Sequence, residues 1–206
     1  MYSEPTLKRL PLYYQYLKDL SNHGDEWISC TQIAKDLGLI PIQVRKDLEV
    51  TEITGKPRKG YNIKELIDAI DKFLSFGMNI NACLVGAGNL GYALAKYNGF
   101  EKYGLKIKLA FDSDEKKIGK KIKDTPIFHV NDMKKTVKNE NISIGILTAP
   151  AEYAQVLADM MVHSGIKAIW NFAPVRILVP ENVVVKHENL ASSFLVLAKR
   201  FINTKL

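Results

Sequence analysis

Apolar residues recur at helical spacing near the start of the chain: Leu10, Tyr13, Leu17 and Leu20 share a face, Pro11 suits a first-turn position, and Gly24 closes the segment. Two short helices are expected next, in TQIAKDL and PIQVRKDLEV. Ser29 or Thr31 can cap the first and Gly38 stops it, while Pro41 opens the second. Only GLIP separates them, which reads as a helix-turn-helix. In the second helix Ile42, Val44 and Leu48 are expected to face the core. Gln43, Arg45 and Lys46 are expected to project outward, where a cationic side chain can donate to guanine edges.

TEITGKPRKGY is then punctuated by Gly55, Pro57 and Gly60 and carries Lys56, Arg58 and Lys59, a basic β-hairpin placed as a wing. NIKELIDAIDKFLSFG is a linking helix with Ile63, Leu66, Ile67, Ile70 and Leu74 on one face and Gly77 as its stop, so a domain boundary is expected near Met78. From there the pattern changes to strand then helix, repeatedly. INACLV, LKIKLAFDSD, TPIFHV, ISIGILTAP, KAIWNFAP and NVVVKH read as strands, with NDMKKTVKN and AEYAQVLADMMVHSG as helices between them. Such alternation implies a doubly wound parallel sheet with helices on both faces. NLASSFLVLAKRFINTKL ends the chain as a helix whose Leu190, Phe194, Leu197 and Phe201 form an apolar stripe suited to a partner subunit.

The first strand of this second part runs into Gly86, Gly88 and Gly91 in G-x-G-x-x-G spacing, and a helix begins near Asn89. Gly86 permits the sharp turn, Gly88 lets backbone approach a pyrophosphate, and Gly91 lets the helix close on the strand. The phosphates would lie over the helix N-terminus, where unpaired N–H groups favour an anion. Asp112 ends the next strand 21 residues after Gly91 (112 − 91), the spacing expected of a carboxylate that accepts from a ribose 2′-OH. Thr148-Ala149-Pro150 and Asn171-Phe172-Ala173-Pro174 follow later strands, at the carboxyl edge where open α/β sheets bind ligands.

Composition narrows the picture without changing it. At 47% apolar and 25% charged, the 206 residues suit globular domains. No apolar run approaches the roughly 20 residues of a membrane span, and MYSEPTLKRL lacks a signal-peptide core, so a cytoplasmic protein is expected. Cys30 and Cys83 are too far apart in sequence to suggest a redox or zinc motif, and no metal is expected. The net charge of +7 is not evidence for DNA binding. Residues 1–78 hold 11 Lys and Arg against 11 Asp and Glu, so the excess belongs to the second part.

Taken together, RLPLYYQYL, QVRKDL, GKPRKGYNIKEL, VGAGNLGYALAKYNGF, AFDSDEKKIG, LTAP and NFAP resemble, in order and spacing and over nearly the full chain, the redox-sensing transcriptional repressors of the Rex family. The resemblance implies a winged-helix DNA reader over 1–78, a Rossmann domain for NAD(H) over 79–188, and a helix over 189–206 that clamps a homodimer. Such repressors leave palindromic operators when NADH rises relative to NAD. By resemblance the cofactor-binding segment is Gly86, Ala87, Gly88, Asn89, Leu90 and Gly91, with the glycines at the pyrophosphate and Asp112 at the adenosine ribose. Tyr97 is implied near the nicotinamide, while Arg45 and Lys46 meet DNA. The carboxylate at Asp112 would repel a 2′-phosphate, which agrees with NAD(H) rather than NADP(H).

The chain departs from the family in three places. Glu52 and Arg58 stand in the wing where glycines are expected. Gln15 replaces an Arg in the first helix, and Asn189 replaces an Asp at the start of the last one. In the family that Arg and Asp contact the tyrosine, here Tyr97, and couple cofactor state to the DNA domain; an amide pair lacks the charge assistance that roughly doubles hydrogen-bond strength. Two alternatives therefore stay open: a weakened or altered NADH response, and a regulator of another nucleotide such as coenzyme A. A dehydrogenase fits poorly, because the nucleotide fold consumes the second part and His23, His129, His163 and His187 form no catalytic constellation.

Overall fold

A computed structural model describes residues 2–74 and 79–204. The expected stop at Gly77 and boundary at Met78 lie outside the described residues. The chain forms two compact units, Met1–Gly77 and Met78–Leu206.

The first unit starts with α1 (Glu4–Asn22), where the Ser3 hydroxyl accepts from the Thr6 N–H at 3.2 Å and Pro5 occupies the first turn. The helix thus begins earlier than Pro11 suggested, and Pro11 lies inside it. The carbonyl of Leu7 loses its helical partner there, on a stretch where Leu7 and Leu12 are exposed to water. Leu10, Tyr13 and Leu17 are fully buried as their spacing requires. Strand β1 (Trp27–Ile28) leads to α2 (Cys30–Leu37), capped by the Ser29 hydroxyl and ended by Gly38 in the left-handed region. Helix α3 (Pro41–Leu48) follows. Strand β2 (Tyr61–Asn62) pairs antiparallel with β1 and opens α4 (Ile63–Leu74), whose Ile63, Leu66, Ile67 and Ile70 close the core.

An acid not anticipated from the chain lies in the core of this unit. Asp47 is 2% exposed, yet it accepts from Arg9 at 2.6 and 2.8 Å, from the Tyr13 hydroxyl at 2.7 Å and from the Thr6 hydroxyl at 2.8 Å. Burial raises its pKa, but the hydrogen bonds from Arg9, Tyr13 and Thr6 outweigh that and hold the carboxyl below its ordinary value. The pair pins α3 against α1. On the opposite side of α3, Ile42 is not in the core as expected: it is 65% exposed. Val44, Asp47 and Leu48 already occupy the inward stripe at i, i+3 and i+4, which leaves Ile42 outside it.

The expected basic hairpin contracts to one antiparallel bridge between Lys56 and Gly60, and the strand leaving it joins β1 instead. Gly60, with φ 87°, lies against the Ile28 carbonyl, where any side chain would collide. That contact draws the chain onto β1. Glu52 and Arg58, the two residues standing in place of expected glycines, both keep left-handed backbone with φ of 60° and 63°. The turns retain the conformation that glycine favours, at a cost of about 1–2 kcal/mol each.

The second unit holds a seven-stranded sheet. Its strands are β3 (Ile80–Val85), β4 (Leu105–Asp112), β5 (Lys121–Ile122), β6 (Thr125–His129), β7 (Ile144–Leu147), β8 (Ala168–Asn171) and β9 (Val184–His187), in the order β5-β6-β4-β3-β7-β8-β9. Only β5, which the sequence did not reveal, runs antiparallel. The order reverses between β3 and β7, the switch point where doubly wound sheets open a crevice. Helices α5 (Asn89–Lys96), α6 (Met133–Asn139) and α7 (Ala151–His163) supply crossovers. Cys83 and Val85 face one core, and Ala82 and Leu84 the other, so β3 is buried on both faces. Helix α8 (Leu190–Asn203) ends the unit with Phe194, Leu195, Val196, Leu197, Phe201 and Ile202 exposed.

Asp47→Ala leaves the Arg9 guanidinium and the Tyr13 hydroxyl without their buried acceptor and should cost about 3 kcal/mol, read by urea unfolding through Trp27 in a Trp170→Phe background. Because the folded pKa of Asp47 is depressed, its stabilisation is complete above about pH 4 and lost as pH falls through the folded value. The variant's deficit should shrink in acid.

Candidate nucleotide and nucleic-acid sites

The glycine turn is held by two hydrogen bonds. The Gly86 N–H donates to the Phe111 carbonyl at 2.8 Å, tying the end of β3 to β4. The Thr148 hydroxyl donates to the Gly86 carbonyl at 2.6 Å, tying it to the end of β7. Gly86 has φ 98°, and a Cβ there would lie 3.0 Å from the Thr148 backbone; a Cβ on Gly91 would overlap the Gly86 carbonyl oxygen. At Gly88, the N-cap of α5, a Cβ would meet nothing within 4 Å. Gly86 and Gly91 are thus required by packing, whereas Gly88 borders open space at the helix N-terminus, the place for an approaching phosphate. Ala87 is buried beneath the turn, Asn89 is exposed above it, and Leu90 is half-buried.

Asp112 sits at the end of β4 beside this turn. Its Oδ2 accepts from the Ala87 N–H at 2.8 Å and the Lys117 ammonium at 3.0 Å, and its Oδ1 accepts from the Asp114 N–H at 2.9 Å. Burial pushes its pKa up, but the Asp114 N–H, Lys117 and the Ala87 N–H together hold it below the ordinary carboxylate value. The charged acceptor is therefore preformed. Sequence reasoning missed Lys117, whose ammonium also lies 3.8 Å from Asp114.

A cavity of about 550 Å³ brings Gly86, Gly88, Asp112, Thr148, Ala149 and Pro150 together. Its apolar wall, Val130, Tyr153, Val156, Leu157 and Met160, comes largely from the exposed face of α7 and was not anticipated. Three expected residues lie elsewhere. Asn171 is fully buried, its amide donating to the Val175 carbonyl and lying 3.0 Å from the His187 ring while its oxygen accepts from the Ala173 N–H. These bonds shape the turn after β8. Tyr97 and Phe172 end an aromatic row running Tyr97, Phe100, Trp170, Phe172 with ring separations of 5.0, 5.5 and 4.8 Å. Tyr97 is 59% exposed at the end of α5.

Asn189 is the N-cap of α8, its oxygen accepting from the Ser192 N–H at 3.1 Å. An Asp would cap equally well, so the amide leaves this local role intact. Gln15 is on the exposed face of α1.

In the first unit Arg45 and Lys46 are exposed on α3 and Gln43 is half-buried. Arg45, Lys56 and Arg58 line one groove of about 860 Å³ between α3 and the wing turn. Lys56 and Lys59 hold their ammonium groups 5.0 and 5.3 Å from the centre of the Trp27 ring, cation–π contacts that orient both cations. Among the described residues, no group of three His, Cys, Asp or Glu side chains is placed to hold a metal ion, and no helix is long and apolar enough to cross a membrane.

A winged helix-turn-helix with a cationic groove, joined to a doubly wound unit with a preformed glycine turn and acceptor, defines the class of ligand-responsive regulators. Residues 3–49 match the family model described as "Putative DNA-binding protein N-terminus", and residues 78–175 match that of the CoA binding domain. The redox-sensing transcriptional repressor Rex of Treponema denticola is 48% identical over 98% of this chain and 95% of its own length. That of Bacteroides thetaiotaomicron is 42% identical over 96% and 90%. Among solved structures, the protein RSP in complex with β-NAD⁺ and operator DNA is 35% identical, with a TM-score of 0.92 over 100% of this chain and 94% of that one. RSP with β-NADH has a TM-score of 0.89 at 35% identity, covering 100% of this chain and 96% of that one. The chain belongs to the Rex family of redox-sensing transcriptional repressors.

Gly91→Ala forces the Gly86 carbonyl out of place and should cost about 1–3 kcal/mol, measured by urea unfolding of the second unit through Trp170 in a Trp27→Phe background. Gly88→Ala, which meets open space, should leave that stability within about 0.5 kcal/mol of the parent.

Proposed function

We propose that this protein is a cytoplasmic transcriptional repressor that binds a palindromic operator as a homodimer, senses the NADH/NAD⁺ ratio through its Rossmann unit, and leaves DNA when NADH rises. The observation that carries the reading is the ionised Asp112 at the rim of a cavity that opens on the glycine turn. A preformed carboxylate is an acceptor for ribose hydroxyls and repels a 2′-phosphate, which selects NAD(H). The relatives across the whole chain are repressors rather than enzymes, and one was solved with β-NAD⁺ and operator DNA. Their full-length likeness favours a redox sensor over a coenzyme A sensor and over a weakened NADH response.

The proposed roles draw on the family resemblance and are supported by the positions described above. Gly86, Gly88, Asn89 and Gly91 receive the pyrophosphate, Asp112 the adenosine ribose, and Thr148-Ala149-Pro150 line the nucleotide cavity. Tyr97 and Phe172, on the aromatic row, face the nicotinamide. Gln43, Arg45, Lys46, Lys56, Arg58 and Lys59 form the DNA face. Gln15, Tyr97 and Asn189 act as the switch. Residues 1–78, 79–188 and 189–206 serve as DNA reader, sensor and dimerisation helix. Six large apolar side chains exposed on α8 support the last assignment.

Fluorescence anisotropy of a palindromic Rex-type operator, titrated with NADH and NAD⁺ separately at one salt concentration, tests the whole scheme. NADH should weaken DNA binding by about 5- to 150-fold, and NAD⁺ should not; equal responses, or no DNA binding, would sink it. Sedimentation should give twice the 23.2 kDa chain mass, and Phe194→Asp should give the monomer.

A further inference from the structure

An exposed aliphatic side chain lines the cationic groove. Ile42 is 65% exposed and lies on one helical stripe with Arg45 and Glu49, three and seven residues on. All three line the groove whose other wall carries Lys56 and Arg58. A solitary exposed isoleucine needs no explanation, but this one shares its stripe with a guanidinium and lines the same groove as Lys56 and Arg58. When a recognition helix lies in the major groove its N-terminal residues meet base edges. The apolar feature presented there is the thymine 5-methyl group.

We propose that Ile42 is a specificity-determining residue that packs on a thymine methyl, one or two base pairs from the base engaged by Arg45. Three residues advance about 4.5 Å along a helix at 1.5 Å each, and base pairs are spaced about 3.4 Å apart, which sets that separation. The contact carries sequence information without a hydrogen bond: uracil presents the same donors and acceptors as thymine and lacks only the methyl. This inference rests on the DNA-binding reading above.

The test begins with duplexes selected from a random pool by the full-length protein. Each thymine of the selected site is then replaced in turn by deoxyuridine and binding is measured by anisotropy. Uracil should weaken binding about four-fold at one thymine per half-site, the worth of one buried methyl. Ile42→Ala should bind the thymine and uracil duplexes equally at that position. Ile40→Ala, altered at a residue 63% exposed but off that stripe, should keep the difference. Matching thermal unfolding of Ile42→Ala and the parent shows that the fold is unchanged. If no uracil weakens binding, or if Ile42→Ala still distinguishes uracil from thymine, Ile42 is not the reader. A pool that yields no duplex overturns DNA binding itself, and this inference with it.

Discussion

The Gly86 carbonyl, the α-carbon of Gly91 and the Thr148 hydroxyl meet at one point, and the second unit is built around that meeting. Thr148 donates to Gly86 at 2.6 Å, and no side chain fits at Gly91. The end of β3, the first turn of α5 and the end of β7 therefore cannot separate. Their junction is the switch point of the sheet, so the crevice is defined by backbone packing before any ligand arrives. The Ala87 N–H then holds Asp112 from the neighbouring strand at 2.8 Å, which aims the carboxylate into the same crevice. The crevice is thus shaped by rigid backbone, with one charge placed by it.

The first unit solves a comparable problem with charge. A small helical unit has little apolar surface to orient an eight-residue helix, and the Asp47 carboxylate bonded to Arg9, Tyr13 and Thr6 locks α3 to α1 at a defined rotation. Such a buried pair contributes more to orientation than to net stability, because its desolvation offsets much of the attraction. That rotation turns Arg45 and Ile42 into the groove while Val44 and Leu48 point inward.

Net charge is a poor guide to where this protein would meet DNA. The +7 excess belongs to the part that carries the nucleotide fold, whereas the helix and wing that form the cationic groove belong to a part with balanced charge. Local arrangement decides instead, with Lys56 and Lys59 fixed over Trp27 and Arg58 at a left-handed turn beside them. Phosphates respond to the nearby field, within a Debye length of roughly 8–10 Å.

Much of the architecture could be read from the chain itself because its determinants are local. The period of apolar residues, the caps at Ser29 and Gly38, the glycine spacing and the reach to Asp112 each involve residues near in sequence or a repeating unit, and together they specified a winged helix followed by a doubly wound sheet. Contacts between distant residues were decided only in three dimensions. Nothing near Asp47 announces Arg9, 38 residues away. Asn171 looks like an edge residue until β9 and the turn at Val175 enclose it, and the strand leaving the wing pairs with β1, where Gly60 lies against Ile28. Ile42 was misplaced for the same reason: which stripe of a short amphipathic helix faces inward depends on the partners that claim it, and here Asp47 claimed the core.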